Sequence, residues 1–136
     1  MDKALAVEIL RKRRKRLLMA YVFHVAWLAS TCAFAATDGV DLAITTSLWL
    51  TLVTVPPVLF FTAAVHRACR SVDPHANSVG LVTIILATLF LTPFESGLIL
   101  PARNLLISGR ILRSWDRGPP ATRYRGHGPP HEPFGF

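Results

Sequence analysis

Acidic residues are scarce in this chain, cysteine is nearly absent, and over long stretches there is no charge at all. Asp and Glu together number 8 against 15 Lys and Arg, giving a formal net charge of +7. The two cysteines, Cys32 and Cys69, fall on opposite sides of a long apolar run and carry no zinc spacing, so neither a disulfide framework nor a structural metal site is expected. No G-x-S-x-G, H-E-x-x-H, phosphate-cradling glycine loop or pair of buried carboxylates occurs. The sequence thus offers nothing on which to build an enzyme, and no cofactor or metal is expected.

The missing charge has a pattern. Residues 42–65 contain no titratable side chain, and in 17–36 His24 is the only one apart from the weak acids Tyr21 and Cys32. Each run reaches the roughly 20 residues that cross about 30 Å of hydrocarbon as helix. A third run, 79–100, is interrupted only by Pro93 and Glu95. With 51% hydrophobic residues and a mean hydropathy of +0.41, the chain reads as an all-α integral membrane protein. The expected architecture is a small bundle of three to four transmembrane helices, with an N-terminal basic interfacial helix and a flexible C-terminal tail.

The charge that is present gathers in blocks. "RKRRKR" (Arg11, Lys12, Arg13, Arg14, Lys15, Arg16) lies directly before the first apolar run, where basic residues hold an end in the cytoplasm and meet anionic lipid headgroups. That placement favours a topology anchor over nucleic-acid binding, and no nucleic-acid partner is expected. The segment 1–16 is expected to lie in the membrane interface, with Ala4, Leu5 and Ile9 on its apolar side and Glu8 paired to Lys12. The basic run, the apolar stretch and "AFA" at 33–35 also imitate a cleavable signal peptide. The length of the apolar run, with His24 and Trp27 inside it, makes that the weaker reading.

The expected spans are 17–36, 42–65 and 74–92. The acidic turn "TDGVD" joins the first two, and Pro56 and Pro57 remove the amides that would bond the carbonyls of Leu52 and Val53, with Thr51 and Thr54 close enough to help. Asp73 followed by Pro74 reads as the start of the third helix. Thr92-Pro93-Phe94-Glu95 is a second start signal, a capping box with proline at the first helical position. Segment 93–115 is therefore a fourth span or an amphipathic surface helix. Its eight Leu and Ile residues between 97 and 112 contribute about −2 to −5 kcal/mol to insertion, which Arg103 at roughly +3 kcal/mol would cancel unless the helix enters as a hairpin with its neighbour. The hairpin keeps every basic cluster inside and is favoured. Beyond 116 the chain is rich in proline and glycine and reads as a disordered tail.

Polar residues repeat at helical spacing inside the runs: Ala20, His24, Trp27 and Thr31; Ser47, Thr51 and Thr54; Thr88, Thr92 and Glu95. They mark helix contact faces or, with Arg103, a polar path for protons or ions. The first reading is favoured because a second membrane acid to relay charge is missing. Haem ligation by His24 and His66 would need the two at like depth, which the sequence does not provide. The functional expectation is a non-catalytic accessory or self-associating component of a membrane, a bacterial inner membrane by its charge pattern, with the N-terminus cytoplasmic. Its partners would be anionic lipid, further copies of itself or a larger membrane complex. The alternative is a small transporter or channel component built around Glu95, Arg103 and His24.

Overall fold

The computed structural model describes residues 2–38, 40–90 and 93–118, with the side chains of 38, 40, 42, 43, 50 and 93–96 outside that description. Every regular element among these residues is an α-helix. The tail 119–136 lies outside the described residues.

Helix α1 (Lys3–Asp38) is a single helix of 36 residues, about 54 Å long. Asp2 caps it, its carboxylate accepting from the amide of Ala4 at 3.1 Å. The basic segment and the first apolar run are therefore one rod, not an interfacial helix followed by a span. The buried side of its first turns is also not the one expected: Ala4 and Leu5 are exposed, while Ala6, Val7 and Leu10 are buried. The reason is that these turns pack on other helices instead of resting on a surface.

Helix α2 (Val40–Val72), with 33 residues, returns antiparallel to α1 and stays helical through Pro56 and Pro57. Arg13 donates to the carbonyl of Ala64 and His24 bonds Thr54, which fixes the register of the pair. Because α2 runs on to Val72, Cys69 sits inside a helix, fully buried, and not in the following loop.

The third helix does not begin at Pro74. Asp73 accepts from the amide of His75, which closes one turn, and 76–80 then runs as irregular chain until α3 (Leu81–Phe90) starts. Helix α3 has ten residues, about 15 Å. Helix α4 (Pro93–Asp116) has 24 and ends where Gly118 takes a left-handed conformation (φ 71°). Val79 and Ile84 of the third segment pack with Leu100 of α4, and Val79 meets Asn104, so α3 and α4 form an antiparallel hairpin and not one kinked helix.

Two clusters hold the assembly. Val7, Leu10 and Leu17 of α1 pack with Val65, Ala68 and Cys69 of α2 and with Leu105 and Leu112 of α4. Ala63, Val79, Ile84 and Leu100 form the second, under the hairpin. Two helices, α1 and α2, are long and apolar enough to cross a membrane.

Candidate functional site: a three-helix junction

The α1 stripe of Ala20, His24, Trp27 and Thr31 lies on partly or fully buried positions, as does the α2 stripe of Ser47, Thr51 and Thr54. They meet at His24. Its ring is fully buried, and Nδ1 shares a 2.9 Å hydrogen bond with Oγ1 of Thr54. Thr54 thus serves the neighbouring helix, not the carbonyls freed by the α2 prolines. On the other side the imidazole lies against Gly97 of α4: a Cβ placed there would stand 3.0 Å from Nε2 and 3.5 Å from Val55. Glycine at 97 lets the ring approach closely, and any larger residue there would push the imidazole aside. Nε2 has no hydrogen-bond partner among the described residues.

About two helical turns further along α4, Asn104 makes a second junction. Its side chain is fully buried. Oδ1 accepts from the amide of Val79 at 2.7 Å, while Nδ2 donates to the carbonyls of Val79 at 3.1 Å and Thr62 at 3.0 Å. One amide therefore ties α4 to α2 and to the irregular segment before α3, and it supplies partners that this segment lacks as non-helical chain. On either side of Val79, His66 bonds Ser78 at 2.8 Å and fills the space beside Gly80, where a Cβ would lie 2.9 Å from Nε2.

No protein family, curated protein or solved structure matches this chain.

Of the residues expected to form a polar path, His24 is at the junction and Arg103 is not. Arg103 is exposed and reaches the carbonyl of Asn77 at 3.5 Å. Thr88 is half-buried and donates to Ile84 of its own helix at 2.7 Å. Thr92 and the side chain of Glu95 lie outside the described residues, so the capping box does too. His24 and His66 belong to different levels: His24 is opposite Thr54, and the rise along α2 from there to His66 is about 18 Å.

The basic block is partly built into the bundle. Arg11 pairs with Asp116 at the end of α4, Arg13 donates to Ala64 at 3.1 Å, and the Arg14 guanidinium lies across Gly109. Lys12, Lys15 and Arg16 are exposed.

Asn104 is the residue that reading the sequence missed. The signal was present: Gly97, Leu100, Pro101, Asn104, Leu105, Ser108, Gly109 and Leu112 recur at three- and four-residue steps and make up the buried face of α4. A stripe so rich in small residues, with one amide in it, is the pattern by which helices approach closely and bond across.

Proposed function

We propose that the chain is an integral membrane protein with α1 and α2 as its two full crossings, and that the α3–α4 hairpin enters from the basic side and turns back at mid-depth. The carrying observation is a belt of large apolar side chains left exposed among the described residues: Met19 is 66% exposed, Phe23 63%, Leu52 66%, Phe60 69% and Phe90 85%. In water such a surface would drive aggregation, whereas lipid covers it without cost. Its cations support an inner, cytoplasmic placement for both ends of the described chain, since Arg11 of α1 and Asp116 of α4 meet.

The half-depth hairpin rests on register. Gly97 is level with His24 and Val55, so the start of α4 at Pro93 lies about 6 Å beyond that level, while α1 continues about 21 Å to Asp38. The hairpin stops about 15 Å short of the α1–α2 turn by the same rise. A cysteine replacing Phe90, in a cysteine-free background, is expected to resist a membrane-impermeant maleimide added to either face and to react once detergent is added. Ready modification from the outer face would mean that the hairpin crosses completely.

In this reading the protein is a non-catalytic accessory or self-associating component. Its buried polar groups at Thr54, Thr62 and Asn104 are engaged in bonds within and between helices, and the outer parts of α1 and α2 extend beyond the start of α4. A partner helix or a second copy would complete a bundle there. The second reading, a transport component, draws on the unpartnered Nε2 of His24 beside the first turns of α4, the helix that carries Glu95. Replacing Glu95 by Gln separates the two: lost flux with normal membrane assembly favours transport, and unchanged flux removes it.

A further inference from the structure

We propose that the groove between α1 and α4, at the boundary between the basic and apolar parts of α1, binds one anionic phospholipid by its phosphate and an acyl chain. The inference rests on the membrane reading above and adds a defined ligand site to it. The groove has a volume of about 700 Å³. Its polar end carries Arg14, Lys15 and Arg113 together with Arg11 and Asp116, and its apolar end Leu18, Leu105, Leu106 and Leu112.

The charges at the polar end do not balance. Among the described residues Asp116 is the only acid lining the groove, and Arg11 already holds it. Two further guanidinium groups converge on Gly109: that of Arg14 lies against it, 3.3 Å from where a Cβ would stand, and Nε of Arg113 donates to its carbonyl at 3.2 Å. Like charges brought together at a partly desolvated place repel unless an anion sits between them. The Nε of Arg14 is buried with no hydrogen-bond partner among the described residues, so a donor is held in reserve there as well. Planar guanidinium groups present paired N–H donors that suit phosphate oxygens, and Lys15 adds a point charge.

The position along α1 decides between a free anion and a lipid. Arg14 and Lys15 precede the first residue of the apolar run, Leu17, and Leu18 continues the groove on its apolar side. A phosphodiester held by Arg14, Lys15 and Arg113 would therefore sit at headgroup height, with an acyl chain lying over Leu18, Leu105 and Leu106. Gly109 leaves room for the Arg14 guanidinium on the floor of the groove, at the point where headgroup and chain would join.

The test uses the full-length protein in nanodiscs of phosphatidylcholine, with phosphatidylglycerol added as the probe and the number of retained lipids read by native mass spectrometry. One phosphatidylglycerol per chain is expected to survive release. The double variant Arg14→Gln and Arg113→Gln should weaken its retention at least tenfold. The double variant Arg70→Gln and Arg117→Gln, with the same change in net charge, should leave it within twofold. Filling the groove by Gly109→Leu should also displace the lipid. Equal losses in both double variants would overturn the proposal in favour of diffuse surface attraction, and complete competition by millimolar inorganic phosphate would overturn the lipid in favour of a simple anion site. Extraction of the wild-type protein from membranes by alkaline carbonate would instead overturn the membrane reading itself, which keeps the two failures distinguishable.

Discussion

Asn104 engages three backbone groups with one amide, two of them on Val79 and one on Thr62. Replacing it by Leu keeps the branched shape, adds a little volume and removes all three bonds, leaving an amide and a carbonyl of Val79 buried without a partner. Each such orphan costs about 1 to 3 kcal/mol in a protein interior, but side-chain bonds between membrane helices average only about 0.6 kcal/mol, since the unfolded reference also finds partners. The expected loss for Asn104→Leu is thus about 2 kcal/mol, read as a shift of the unfolding midpoint in mixed micelles. A change below about 0.5 kcal/mol would mean that water or lipid replaces the amide at no cost. The hydroxyls elsewhere behave differently. Ser30, Thr31 and Thr88 donate to carbonyls of Ala26, Trp27 and Ile84 in their own helices, so their removal should matter much less.

The order of the helices was legible because their punctuation is written in single residues, and their partners were not. Proline at 93 marks the start of α4, and the uncharged runs mark α1 and α2. The late start of α3 was hidden: Asp73 and Pro74 give an ordinary start signal, and what defeats it is the capture of Val79 by an amide from α4, a tertiary effect with no local trace. The buried side of the first turns of α1 was hidden for the same reason, since its partners lie on α2 and at the far end of α4. That packing makes a sharp claim about direction. With Arg11 beside Asp116, Arg14 beside Gly109 and His24 beside Gly97, α4 runs antiparallel to α1. Cysteines at positions 14 and 109, in a cysteine-free background, are therefore expected to be joined by a short bifunctional thiol reagent that replaces the length of the Arg14 side chain. Cysteines at 14 and 97 are expected not to be joined, being separated by about 18 Å of rise along α4. Cross-linking of the second pair in place of the first would reverse the register.

Two kinds of force share the molecule. Under the proposed membrane placement, lipid is as good a neighbour as leucine for the apolar part, so association there would rest on glycine at 97, the His24–Thr54 bond and the Asn104 clamp. At the basic end, which that reading leaves in water, the ordinary hydrophobic effect acts, and there Val7, Leu10, Cys69 and Leu112 close a core with cations around it. The bundle is thus a soluble-style core of α1, α2 and α4, from which the apolar parts of α1 and α2 run on, under the proposed reading into the membrane. Its orientation follows from the same division: α1 starts and α4 ends at the basic end, whatever the depth of the hairpin, because Arg11 and Asp116 are in contact there. With that end cytoplasmic, as proposed, a reporter active only in the cytoplasm should be active when fused before Met1 or after Phe136, and one active only outside should be silent at both. A fusion after Asp41, beside the α1–α2 turn, should give the opposite pair of results. Activity of the outer reporter at Phe136 alone would require α4 to leave the bundle and complete a third crossing, which would break the Arg11–Asp116 pair and the Asn104 clamp together.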